Sequence, residues 1–245
     1  YTDSIMSSMV MANLENQLGN EAIPVRLGKI NKETEYVFNY LQIERPEQIS
    51  DIEDGQNVIL VDHNENTQSA NNISNANILK VIDHHTMNFV APYQLYYRAE
   101  PVGCTATVLY KMYKEYDVEI TKTIATLMLS AIISDTLLLK SPTCTKEDKV
   151  IAEKLAKIAE VDLEKYGKDL LKAGTDISDF TPEEVINIDS KLFEKGGKKF
   201  KIAQINTADI DDVFKNKAYF ETAINNEIAN ENLDLYVFAA TDILN

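Results

Sequence analysis

The sequence predicts an α/β fold in two domains: an N-terminal domain built on a doubly wound, mainly parallel sheet, and a smaller C-terminal α/β domain. Three observations carry this expectation. "NVILVD" (57–62) and "ILKVID" (78–83) are unbroken runs rich in β-branched residues, as strands buried on both faces of a parallel sheet require. Stretches with apolar residues at helical spacing alternate with such runs in both halves of the chain. The polar segment "TDISDFTPEEV" (175–185) holds the only proline after residue 174 and reads as a linker between a first domain, 1–174, and a second, 186–245.

Taken in order, Thr2 or Asp3 is placed to cap a first helix, in which Ile5, Met6, Met9, Val10, Leu14 and Leu18 recur at helical spacing up to Gly19. "IPVRLG" (23–28) alternates and ends at a glycine, as a strand does. Asn31 caps a second helix containing Tyr36, Val37, Tyr40 and Leu41, closed off before Pro46. Between the two apolar runs, residues 63–77 leave room for a brief crossover helix. "PVGCTATVLYKMYKEY" (101–116) starts with Pro101, whose fixed φ suits an early helical position. Residues 121–141 are apolar nearly all round and predict a buried helix that exits near Ser134 and Asp135. Two amphipathic helices, 145–161 and 162–174, finish the first domain. In the second, a hairpin at Gly196 and Gly197 leads into a strand at 198–207, a helix at 211–229 and a strand at 234–242.

The 245 residues, 44% of them apolar, suffice for a sizeable core. A net charge of −15 argues against a chain that grips nucleic acid or an anionic membrane through a broad basic surface. No apolar run approaches the roughly 20 residues that span a bilayer, and Asp3 and Glu15 stand where a secretory leader would be basic and then apolar. The expectation is a cytoplasmic protein, in which Cys104 and Cys144 are free thiols and the sequon "NIS" (72–74) goes unused. The chain opens on Tyr1 and closes on the strand-like "YVFAATDILN", so flanking sequence is expected at both ends and the second domain reads as truncated.

The chemistry is concentrated where the two apolar runs stop. Asp62 and His63 follow one, Asp83, His84 and His85 follow the other, and these are all three histidines of the chain. In a parallel sheet both clusters project into the crevice beyond the carboxyl ends of the strands. Carboxylate oxygens with imidazole nitrogen suit manganese, magnesium, iron or zinc, and the lack of cysteine there argues against a soft thiolate site. An aspartate can bridge two metals about 3.5 to 4 Å apart with a water held between them as hydroxide. Phosphoryl transfer gains most from that device, because its barrier falls with positioning and charge neutralisation.

"VDHNE", "VIDHH", "EPVGCTAT", "MLSAIISDTLLLKSPT" and "YGKDLLKAGT" together resemble the DHH phosphoesterase superfamily and, within it, the manganese-dependent family II inorganic pyrophosphatases, in order along the whole chain. The resemblance implies a two-domain enzyme that hydrolyses pyrophosphate to two phosphates. It implies two Mn²⁺ per site, with Mg²⁺ or Co²⁺ as substitutes and further Mg²⁺ accompanying the substrate. By the family pattern Asp62 is the bridging ligand and part of the catalytic machinery, and Asp3, His84 and Asp135 are ligands of one ion. His85 contacts the phosphate and serves as acid toward the leaving group, and Lys191 supplies a cationic substrate contact from the second domain. His63 is expected to orient a ligand carboxylate, and Cys104 to pack in a buried helix. The partners expected are pyrophosphate and at most a second copy of the chain, with no nucleic acid and no membrane.

Departures from the pattern accompany it. The family's opening His-x-Asn-Pro-Asp-Thr-Asp motif is represented only by Thr2 and Asp3, with Tyr1 where an aspartate is expected, and its Ser-Arg-Lys-Lys-Gln clamp has no counterpart before Asn245. The alternative function is that of a DHH phosphoesterase on short oligonucleotides or cyclic dinucleotides, whose second domain carries a glycine-rich motif with a histidine; here no histidine follows His85. A non-catalytic scaffold that keeps the fold and a metal is the third reading.

Overall fold

The computed structural model describes residues 1–244, which divide into two compact units, Tyr1–Leu170 and a second from Leu171 onward. In the first unit α1 (Thr2–Gln17) starts at an exposed Tyr1 with no side-chain cap. Neither Thr2 nor Asp3 caps it, because both lie inside the first turn, with Thr2 engaged across the unit instead. The expected 23–28 strand shrinks to β1 (Val25–Arg26), paired in parallel with β2 (Glu47–Gln48). α2 (Lys32–Leu41) begins as its sequence requires, with Asn31 Oδ1 accepting from Thr34 N at 2.8 Å, and closes at the left-handed Gln42 before Pro46 is reached.

The two apolar runs form β3 (Asn57–Val61) and β4 (Asn77–Asp83), joined by β5 (Tyr96–Ala99) in an all-parallel sheet of order β3-β4-β5. The sequence reading missed β5, a short strand carrying Arg98 with no apolar run to announce it. A register shift after Val58 pairs Ile59 with Lys80, which leaves Leu79 exposed as the extra residue of a bulge. The crossover from β3 to β4 contains two 3₁₀ turns, Asn66–Gln68 and Ile73–Asn75, in place of the expected helix; asparagine and serine there favour local side-chain hydrogen bonds over helical ones. Ile73 nevertheless packs with Leu60, Ile78 and Val81 against the sheet.

α3 (Thr105–Glu115) begins later than Pro101 suggested, with the Cys104 side chain capping Ala106 N, so Pro101 lies in the preceding loop. α4 (Lys122–Thr136) is capped by Thr121 and is buried almost throughout, packing on α1. α5 (Lys146–Ala159) opens with a capping box between Thr145 and Asp148, and α6 (Leu163–Gly174) follows. Met6, Val10, Leu14, Leu109, Met112, Met128, Leu129 and Ile132 are fully or almost fully buried; each such side chain contributes about 1.5–3 kcal/mol of transfer free energy.

The second unit, taken by itself, has α7 (Pro182–Val185), β6 (Ser190–Lys195), β7 (Lys198–Thr207), α8 (Ile210–Lys215), α9 (Lys217–Glu231) and β8 (Leu235–Asp242). β6 and β7 are antiparallel around Gly196 (φ 61°) and Gly197 (φ 74°), the two positive φ angles of a tight hairpin turn. β8 runs parallel to β7, with α8 and α9 as the crossover; the one helix expected at 211–229 is broken at Asn216. Residues 175–185, expected as a linker, are instead part of this unit. Thr175 Oγ1 accepts from Ala208 N, Ile177 packs on the core, and Val185 and Ile186 are buried with Ala203, Ile205, Phe220 and Tyr236. Pro182 is the first residue of a short helix whose N-terminus carries a Thr181–Glu184 capping box, so the proline here starts structure. Among the described residues no helix is long and apolar enough to cross a membrane.

One buried carboxylate ties the first unit's loops together. Asp148 is 0% exposed and accepts from Gly103 N (2.8 Å), Thr107 Oγ1 (2.6 Å), Thr145 N (2.7 Å) and Thr145 Oγ1 (2.6 Å). A Cβ at Gly103 would meet its Oδ2 at 2.8 Å, which explains a glycine in "VGCT". Asp148→Ala strands all of these donors and is expected to lower stability by about 3 kcal/mol or more, read as a shift of the urea midpoint.

Candidate metal centre

Asp62 is the first residue after β3 and takes φ 66°, a left-handed conformation in which aspartate is tolerated better than most residues. The turn aims its carboxylate into the first unit, where Oδ1 accepts from Thr105 Oγ1 at 2.8 Å and Oδ2 from Ser4 Oγ at 2.6 Å. One hydroxyl on each oxygen leaves lone pairs on both. Asp3 comes from the first turn of α1, His84 follows β4, and Asp135 is near the last residue of α4.

His84 Nδ1 lies 3.0 Å from Val102 O, an atom that can only accept, so this nitrogen carries a proton. In the neutral ring Nε2 then bears a lone pair. It faces Asp135 Oδ2 at 3.2 Å and Asp62 Oδ1 at 3.5 Å, and both His84 Nε2 and Asp135 Oδ2 are buried without a hydrogen bond. One donor atom each from Asp3, His84 and Asp135 lie within 4.8 Å of one another, as do donor atoms of Asp62, His84 and His85. Burial first, and then the Asp62 charge, push the Asp3 carboxyl up to about 7. Burial and the Asp3 charge do the same to Asp135, also to about 7, and burial raises Asp62 against the hydrogen bonds of Asp3, Ser4 and Thr105 that pull it down. Acceptors crowded together at this cost form the donor set that a hard divalent cation needs, and the residues present fit one.

Asp83, which the sequence reading placed in the same crevice, turns beneath it. It is wholly buried, and Oδ1 accepts from His84 N, His85 N and, at 2.8 Å, His85 Nδ1. Burial alone would raise its pKa, but these bonds and one from Asn64 lower it on balance. Burial opposes the His85 imidazolium, yet the Asp83 hydrogen bond and the Asp62 charge hold the pKa above the ordinary value. The reading missed Asn64, 2% exposed, whose Nδ2 donates to Asp83 Oδ2 at 2.6 Å and whose Oδ1 accepts from Asn88 N at 2.7 Å. The "HNE" context gave no sign of that role. His63 does not orient a ligand carboxylate: its ring nitrogens lie 3.0 Å from Val61 O and from Ser69 Oγ, so it pins the following loop. Lys191 is exposed on β6 of the second unit.

α4 ends with three consecutive left-handed residues, Leu137, Leu138 and Leu139, at φ 48°, 53° and 65°. Such a run is costly and persists where surroundings enforce it. Here Leu138 N donates to Ile133 O, Leu139 N to Thr136 Oγ1, and the Leu138 side chain fills the space that a Cβ at Gly167 would need. Asp135 is thereby held at a fixed helix end.

A family model described as DHH family, N-terminal domain, matches residues 1–132, and one described as DHHA2 domain matches 168–245. The chain is similar to the manganese-dependent inorganic pyrophosphatase of Bacillus subtilis (strain 168), at 54% identity over 245 residues, 99% of this chain and 79% of that one. It is 53% identical to a probable manganese-dependent inorganic pyrophosphatase of Oceanobacillus iheyensis, covering 100% of this chain and 80% of the relative. Among solved structures it resembles a putative family II inorganic pyrophosphatase of Methanococcus jannaschii, with TM-score 0.73 and 39% identity over 99% of this chain and 80% of that one. An exopolyphosphatase-related protein of Bacteroides fragilis, at 12% identity and TM-score 0.55 over 83% of this chain and 62% of that one, shares the fold.

Asp135→Asn tests the crowding. A carboxyl whose folded pKa is about 7 but whose unfolded value is about 4 penalises the folded state increasingly as pH rises between the two. The metal-free variant is therefore expected to melt above the metal-free parent at pH 8, with the difference gone near pH 4, as followed by circular dichroism.

Proposed function

The chain belongs to the DHH family and to its manganese-dependent inorganic pyrophosphatases, and from that premise we propose that it hydrolyses pyrophosphate to two phosphates, with Asp3, Asp62, His84 and Asp135 as metal ligands. The observation that carries the assignment is the buried approach of His84 Nε2 and Asp135 Oδ2 at 3.2 Å, neither with a hydrogen-bond partner, next to Asp62. When bound, Mn²⁺ supplies Lewis acidity toward phosphoryl oxygens and activation of a water. Two ions per site are part of this reading, and Asp62 would hold them together with Asp3, His84 and Asp135. The two hydroxyl partners of Asp62 hold both oxygens in place while leaving a lone pair on each.

His85 stands beside the cluster with its ring half exposed, and the Asp83 carboxylate at 2.8 Å favours its charged form. In that state it binds the electronegative substrate and gives a proton to the departing phosphate. Asn64 holds Asp83 in turn, so a chain of hydrogen bonds runs from the loop after β3 to the acid. Lys191, from the second unit, grips a substrate phosphate as a point charge. The unpaired Cys104 and Cys144 accord with a reducing, cytoplasmic setting, and a second copy of the chain is the one macromolecular partner in this reading.

Phosphate release from pyrophosphate with Mn²⁺, and then Mg²⁺, set against release from a short RNA and a cyclic dinucleotide, separates this reading from the phosphoesterase alternative. Turnover of pyrophosphate alone is expected, fastest with Mn²⁺; cleavage of the nucleotides without pyrophosphate turnover would reverse the assignment. Asp62→Asn is expected to cut turnover by more than about 100-fold, because an amide neither bridges ions well nor carries charge. Lys191→Ala is expected to raise KM about tenfold with Mn²⁺ stoichiometry unchanged; loss of bound metal would contradict its role.

A further inference from the structure

Asp62 and His84 are braced directly, by hydroxyls of Thr105 and Ser4 and by Val102 O. Asp3 and Asp135 draw no such hydroxyl or carbonyl; their side-chain partners are other carboxyls of the cluster. Asp3 Oδ1 accepts from the adjacent Ser4 N, and Asp135 Oδ2 takes no hydrogen bond. Their restraint comes one residue earlier in each case. Thr2 Oγ1 donates to Glu33 Oε1 at 2.6 Å, and Ser134 Oγ donates to the same oxygen. Glu33 and the buried Thr34, whose Oγ1 lies 3.0 Å from Thr2 Oγ1, occupy the first turn of α2, itself fixed by the Asn31 cap. One carboxylate oxygen therefore joins the first turn of α1 to the last turn of α4.

We infer that Glu33 is a positioning residue of the metal centre, a clip that sets the separation of Asp3 from Asp135 and with it the gap left for Mn²⁺. The inference rests on the reading of these aspartates as ligands. A cation site tolerates metal–ligand distances only within about 0.2 Å of ideal, and the packing of α4 on α1 sets the approach of the two helices while the shared acceptor at residue 33 ties their ends at this point. The clip needs an acceptor oxygen at residue 33 and two hydroxyls, and it does not need the charge.

The test is Mn²⁺ affinity of the full chain, stripped with a chelator and titrated while the electron paramagnetic resonance signal of free aqueous Mn²⁺ is followed, with metal-free melting temperatures measured in parallel. Glu33→Ala is expected to weaken binding by about 10- to 100-fold, the range for residues that orient metal ligands. Glu33→Gln keeps an oxygen that accepts from both hydroxyls and is expected to stay within about threefold of the parent, a rescue that a charge effect would not give. Ser134→Ala opens the α4 arm alone and is expected to fall between the two, with a near-parental melting temperature. Parental affinity in Glu33→Ala, or Glu33→Gln as weak as Glu33→Ala, overturns the clip. Should Glu33→Ala fail to fold, Ser134→Ala decides, and parental affinity there overturns it equally. A parent chain that binds no Mn²⁺ refutes the ligand reading itself and the clip with it, so the two failures are distinct.

Discussion

Where α1 begins, β3 and β4 end and α4 stops, three carboxylates and one imidazole lone pair share a small buried volume. Two like charges about 4 Å apart repel by about 4 kcal/mol at an effective dielectric of 20, and the fold gathers more than two. Only enforced geometry keeps such a cluster together before a cation arrives. The enforcement is distributed: a left-handed Asp62, a left-handed turn after α4, hydroxyls from Ser4 and Thr105, a carbonyl at Val102, and Glu33 across two helix ends. Asp148 stands behind several of these, because it secures Gly103 and Thr107 and so the loop that presents Val102 O and Thr105 to the centre.

The same turn at Asp62 explains both what the sequence reading found and what it misjudged. Strand ends are legible because β-branched runs stop abruptly, and Asp62 and His84 lie at those stops. Cap and hairpin residues, Asn31 and the Gly196–Gly197 pair, are legible because local backbone chemistry selects them. A side chain next to a ligand in sequence is not thereby next to it in space. After a left-handed residue the chain swings away, and His63 returns to Val61 O while Asn64 reaches Asp83.

What the sequence hid falls into two physical classes. Contacts across long chain separations, such as Glu33 with Ser134 or Asn64 with Asp83, leave no periodicity to read. Short elements, such as β5 and the 3₁₀ turns, owe their form to neighbours more than to their own residues. The misplaced linker belongs here too: the polarity of 175–185 is real, but Ile177, Val185 and Ile186 are enough to anchor it to a core.

Leu138 and Gly167 form a lock with a single key. The missing side chain at 167 is the space into which Leu138 folds, and that insertion sustains a backbone twist of the wrong hand next to Asp135. Position 167 is not free to vary by itself: a methyl group introduced there must displace the leucine side chain, whereas trimming 138 first opens the way for it. Evolutionary or engineered change at this corner must therefore pass through the smaller residue at 138, and a glycine buried in a helix of ordinary appearance becomes a gatekeeper of the chemistry on another.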